Sequence, residues 1–177
     1  VIVFVDDGII QRKSFSKQSE RLFHGTTEDF TKYEEKNPNI SAIVSDLKQR
    51  LLVDSKKTLI VYLTDGSQAV EFSAILGKCD ELKSEDIVFF MDGQMPGKPG
   101  VEAVAEIRKL NEIVQPVIIA NSSAPELNQK MEDAGADYQN YKPEVGSSIQ
   151  SGRRSSIEVI EENLKFAIEK RVSVDSY

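Results

Sequence analysis

The feature that most constrains this chain is an apolar run ending on a single carboxylate. Phe89-Phe90-Met91 leads into Asp92, and Gly93-Gln94-Met95-Pro96-Gly97 follows at once. A strand that breaks at a Pro-Gly turn just beyond an acidic residue presents that residue at its C-terminal edge, where ligands reach it.

The rest of the chain alternates strand-like and helix-like segments, which predicts a parallel sheet covered by helices on both faces. Strands are expected at Val1 to Val5, Leu59 to Leu63, Ile87 to Met91, Val117 to Ala120 and, short and polar near a sheet edge, Asp137 to Tyr141. Between them, 3.6-residue periodicity predicts helices. One runs from Ile9 to about Phe23. Another covers Ser67 to Leu76, with Ala69, Phe72, Ala74 and Ile75 available for its inner face. A third covers Val101 to Leu110, with Val101, Val104, Ala105 and Ile107 inward. Glu126 to Ala134 is stopped by Gly135, and Ser156 to Arg171 closes the chain with Ile157, Ile160, Leu164 and Ile168 at helical spacing.

Two segments exceed this plan. In the stretch 24–57, Ile40, Ile43, Val44, Leu47 and Leu51 fall on one helical face, so a helix is expected between Asn39 and Asp54. Ahead of it, Thr26-Thr27-Glu28-Asp29 offers a capping-type start for a shorter helix carrying Phe30 and Tyr33. The apolar stripe either thickens the core or forms a docking surface. Glu144 to Arg154 is rich in Ser and Gly and reads as a loop. His24, alone in a polar insertion, is read as surface and not as a functional residue.

At 177 residues the chain fits one domain. A net charge of −7 argues against a nucleic-acid surface as its main role. Cys79 is the only cysteine, which excludes an internal disulfide and suits a reducing, cytoplasmic compartment. No apolar run approaches the roughly 20 residues of a membrane span, and no secretory pattern opens the chain. The start on a strand without Met leads us to expect a neighbouring domain upstream in the full-length protein, which the resemblance described below would make a kinase domain.

Four pieces carry chemistry: the acidic pair Asp6-Asp7 after the first apolar run, Asp92, Ser122 after a later strand, and Lys142 before Pro143. In this order they resemble the receiver domain of two-component response regulators, which takes a phosphoryl group on an aspartate. The resemblance covers roughly Val1 to Phe23 and Leu59 to Pro143. It implies a doubly wound, five-stranded parallel sheet of the flavodoxin-like receiver type, as one domain over 1–177, with a helical insertion at 24–57 between the first helix and the second strand. It further implies Asp92 as phosphoacceptor, Asp7 and Asp92 as direct Mg²⁺ ligands, Asp6 acting through metal-bound water, and the backbone carbonyl of Gln94 as a further ligand. Mn²⁺ could substitute for Mg²⁺. Ser122, 30 residues after the acceptor, becomes the switch hydroxyl. Lys142, 50 residues after it, becomes the phosphoryl-binding lysine, followed by the proline of a cis peptide, Pro143. The chemistry agrees, because attack of a carboxylate on phosphorus chiefly needs positioned groups and neutralised charge.

The donor implied by the resemblance is a histidine kinase or histidine phosphotransfer protein, with no nucleic acid and no membrane contact by this chain. The module would be no enzyme beyond its own phosphorylation and dephosphorylation, and a hybrid kinase's receiver or a stand-alone one is favoured over a transcription factor. Departures concern regulation. Gln139 stands where receivers usually carry an aromatic, with Tyr138 and Tyr141 nearby, so switching is expected to rely on Ser122 and the helix after it. Gly93 replaces a usual apolar residue, and a looser loop is expected there. The alternatives are a pseudo-receiver acting only through protein contact, and a haloacid-dehalogenase-type phosphatase. The intact acidic pair with Asp92 and Lys142 speaks against the first. The second requires an Asp-x-Asp arrangement on the first strand, which Asp6-Asp7 does not supply.

Overall fold

The computed structural model describes residues 1–8, 27–29, 39–53, 58–80, 82–83, 87–110 and 113–141. They form β1 (Ile2–Val5), β2 (Thr27–Asp29), α1 (Ile40–Val53), β3 (Thr58–Leu63), α2 (Gly66–Leu76), β4 (Val88–Met91), α3 (Gly100–Arg108), β5 (Val117–Ser122), α4 (Pro125–Asp133) and β6 (Tyr138–Tyr141). The strands make one sheet in the order β2-β3-β1-β4-β5-β6, and every pairing is parallel. The expected helices over 9–23 and 156–171, the loop over 144–154, and His24, Phe30, Tyr33, Lys142 and Pro143 lie outside the described residues.

The five strands expected from the sequence are all present, and the doubly wound parallel plan holds. The sheet nevertheless has six strands, which corrects the expected number. Thr27–Asp29, expected as a capping-type start, is a strand whose residues pair with Thr58, Leu59 and Ile60 of β3, and the shorter helix expected after it lies outside the described residues. Main-chain pairing of these residues covers an otherwise open sheet edge. The described part of the 24–57 segment is therefore a strand followed by a helix, not helical throughout.

The central strands are buried on both faces, which is why they read as continuous apolar runs. Val3, Val5, Val61, Leu63, Phe89, Met91, Ile118 and Ala120 belong to the core that includes the helices. Ile2, Phe4, Ile60, Tyr62, Val88, Phe90, Val117 and Ile119 form a second buried cluster. Within that cluster Phe4 stacks on Tyr62 and Phe90, with ring centroids 5.5 and 5.0 Å away.

Helix α1 is capped by Asn39, whose side chain accepts from the Ala42 amide at 3.0 Å. Its residues Ile40, Ile43, Val44 and Leu47 are buried in the helix-side core, and the helix packs against α2. Each such burial contributes about 1.5–3 kcal/mol. These four residues of the stripe thereby thicken the core, and the side chain of the fifth, Leu51, lies outside the described residues. In two other helices, two of the four residues expected on the inner face are only half-buried. Helix α2 buries Ser73 and Leu76 with Ala69 and Phe72, while Ala74 and Ile75 are half-buried. Helix α3 buries Ala103 with Val104 and Ile107, leaving Val101 and Ala105 half-buried. Gly135 follows the end of α4 with φ of 110°.

At the sheet edge farthest from β2, Arg108 ties α3 to the turn before β6. It donates to Gly135 O at 2.8 Å, Pro116 O at 2.8 Å and Asp137 Oδ2 at 2.7 Å. Asp137 Oδ2 also accepts the Ile118 amide at 2.8 Å, fixing the start of β6 beside β5.

Candidate functional site

Two strand ends build the site. Val5 of β1 and Met91 of β4 are register partners, so Asp6 and Asp92 leave adjacent central strands at the same level. The ladder continues one step beyond the strands: the Asp6 amide donates to Leu63 O and the Asp92 amide to Val5 O, both at 2.9 Å. These bonds fix where the carboxylates emerge. Asp6 and Asp92 are buried at 2 % and 8 % exposure, whereas Asp7 is exposed. Asp6 Oδ1 accepts the Gly8 amide at 2.7 Å, which holds the turn after β1.

One carboxylate oxygen from each of Asp6, Asp7 and Asp92 lies within 4.8 Å of the others. Three hard oxygen donors converging at a partly open strand edge suit a divalent cation of the Mg²⁺ type, which takes few protein carboxylates and keeps waters. The Gln94 amide approaches Asp92 Oδ1 at 3.5 Å, at the limit of a hydrogen bond, and its side chain is exposed.

Ser122 ends β5 and is buried, with its Oγ accepting the Ala124 amide at 3.3 Å. Its main chain is held by Asn128 of α4, whose Oδ1 accepts the Ser122 amide at 2.8 Å and whose Nδ2 donates to Ser122 O at 3.0 Å. Gly93 is not loose. A Cβ there would lie 2.9 Å from Leu127 Cβ and 3.1 Å from Ser122 Oγ, so its missing side chain lets β5 and α4 close against the loop after Asp92. Gly100 makes the same kind of approach: a Cβ would stand 2.0 Å from the Asp92 carbonyl oxygen. Its amide donates to Gly93 O at 3.3 Å, closing the loop.

Gln139 makes a polar tie to α4: its Nε2 donates to Glu132 Oε2 and, at 3.3 Å, to Gln129 Oε1. Sequence reasoning missed two further contributors. Asp65 caps α2 by accepting the Ser67 amide at 2.6 Å, and its other oxygen accepts the Lys98 amide at 3.4 Å, anchoring the loop after Asp92. An Asp-Gly at a strand end followed by a helix was the available signal. Asn128 carried none, because a helical Asn reads as solvent-facing.

No family model matches the chain, and no curated protein matches it either. Solved structures do. The response regulator domain of CheB from Thermotoga maritima is 18 % identical, with 95 % of each chain covered and a TM-score of 0.56. The receiver domain of an Arabidopsis thaliana histidine kinase, complexed with Mg²⁺, is 22 % identical; 79 % of this chain and 81 % of that one are covered at a TM-score of 0.50. The receiver domain of a Pseudomonas aeruginosa sensor histidine kinase has magnesium coordinated in its active-site cleft. It is 15 % identical, covering 93 % of this chain and 96 % of that one, with a TM-score of 0.51. The chain has the fold of receiver domains.

Proposed function

We propose that the chain is a phosphoacceptor module that takes a phosphoryl group on Asp92 from a histidine kinase or histidine phosphotransfer protein, with Mg²⁺ as cofactor and Mn²⁺ as a substitute. The observation that carries this reading is the convergence of Asp6, Asp7 and Asp92 at the C-terminal edge of two central parallel strands.

An Asp92 carboxylate oxygen attacks the phosphorus of a phosphohistidine in line. The P–N bond breaks, its electron pair passes to the imidazole, and an aspartyl phosphate forms. Asp7 and Asp92 would hold the cation directly, Asp6 through water, with the Gln94 carbonyl as a further ligand. When bound, the ion supplies neutralisation of charge on the phosphoryl oxygens. The sheet fixes Asp92, and Ser122 lies within reach of Gly93, beside the acceptor. We assign Lys142 the phosphoryl-binding charge. The protein acts on no separate substrate and works in the cytoplasm. Among the described residues, no helix is long and apolar enough to cross a membrane.

A pseudo-receiver would share the fold without the chemistry. Radiolabelled acetyl phosphate with Mg²⁺ separates the two readings. Incorporation into the wild type that is labile at alkaline pH and absent from Asp92→Asn supports a phosphoacceptor, and no incorporation into wild type supports the pseudo-receiver.

A further inference from the structure

We propose that Asn128 is a positioning residue that sets Ser122 at the site and carries its displacement into β6, in the place where an aromatic switch is lacking. The inference rests on the phosphoacceptor reading above.

Asn128 is fully buried, and its carboxamide uses both amide hydrogens and its oxygen. It grips the Ser122 main chain at both polar groups, at 2.8 and 3.0 Å, as a neighbouring strand would. The second Nδ2 hydrogen goes to Asn140 O of β6 at 3.0 Å. Asn140 in turn donates from Nδ2 to Asn121 Oδ1 at 2.9 Å, and Asn121 and Asn140 are register partners across β5 and β6. Three buried amides thus join α4, the end of β5 and β6 in one hydrogen-bonded chain. In such an apolar setting, an amide that lets go of a carbonyl leaves both groups unpaired. Movement of Ser122 toward a phosphoryl group would therefore drag Asn128 and Asn140 with it. The Gln139 tie to Glu132 and Gln129 keeps β6 and α4 moving together. The one carboxamide spans the site hydroxyl's own residue and the next strand.

The test uses beryllofluoride with Mg²⁺ as phosphoryl mimic and amide NMR as readout. In wild type, adduct formation should shift the Asn128 side-chain resonances together with the amides of Ser122, Asn140 and Gln139. Asn128→Asp keeps an acceptor for the Ser122 amide but loses both donors. It should still form the adduct, with the Asn140 and Gln139 shifts lost and adduct affinity lowered at least about fivefold. Asn128→Ala should behave likewise with a lower melting temperature. Unmoved Asn128 resonances in adduct-bound wild type would overturn the proposal, whatever the variants do. So would a full wild-type response in folded Asn128→Asp. Failure of the wild type to take any adduct would instead remove the phosphoacceptor reading itself, and this inference with it.

Discussion

Asp92 donates its amide to the carbonyl of Val5 at 2.9 Å, so the proposed acceptor and the residue preceding the acidic pair are joined by one main-chain bond. The site is an extension of the β1–β4 ladder, so changes at it should register in stability and metal binding alike.

Three carboxylates forced within 4.8 Å repel one another until a cation arrives. Asp7→Asn should raise metal-free stability by about 0.5 kcal/mol, a modest gain because Asp7 is exposed to solvent. The same change should abolish the rise in melting temperature that Mg²⁺ gives the wild type. Asp6→Ala should weaken binding less, while losing stability through the Gly8 bond. Melting curves with and without Mg²⁺ read all three; an undiminished Mg²⁺ response in Asp7→Asn would place the metal elsewhere.

Gly100→Ala puts a methyl group into the Asp92 carbonyl and within 2.9 Å of Met131 Sδ. The first contact is with backbone and cannot turn aside, so a loss of about 1–3 kcal/mol is expected. Urea denaturation measures it. Phosphoryl uptake should fall with it, because the displaced group is the acceptor's own main chain.

Leu47→Ala empties a site on α1 that is wholly buried. About 2–5 kcal/mol should be lost. Phosphoryl uptake by the folded fraction should be unchanged, since α1 contributes nothing to the strand ends at the site. A cost below about 0.5 kcal/mol, the level of an ordinary surface change, would show that the helix is not part of the core in solution.

Ser73 is buried on the inner face of α2, and its hydroxyl has no hydrogen-bond partner among the described residues. Ser73→Ala removes an unsatisfied polar atom and leaves almost the same shape. Stability should rise by about 1 kcal/mol. A loss of stability in urea would mean that the hydroxyl is satisfied in solution.

The sequence made the site legible because its parts are local. An apolar run that stops on an acidic residue tells both where the strand ends and what it presents. Asp6 and Asp92 each follow this pattern, and Ser122 follows it with a hydroxyl in place of the acid. Thr27–Asp29 was not legible. Three polar residues carry no strand pattern, and only the open edge of β3 makes them one. Asn128 and Gly100 were equally hidden, since what each does depends on how an element packs back on the strand end before it, and the tie from Asp65 to Lys98 was hidden because it joins residues distant in the chain. Gly93 misled for the same reason: read alone it means freedom, and beside Leu127 and Ser122 it means close packing.

The proposed function stands on a single carboxylate, that of Asp92, accepting the phosphoryl group, and the direct measurement is to locate that group. After incubation with acetyl phosphate and Mg²⁺, borohydride reduces an aspartyl phosphate to homoserine, which peptide mass spectrometry assigns to a position. Homoserine is expected at position 92 alone, and none when the divalent cation is chelated. Homoserine at Asp6 or Asp7, or a phosphorylated wild type with position 92 unmodified, would contradict the assignment.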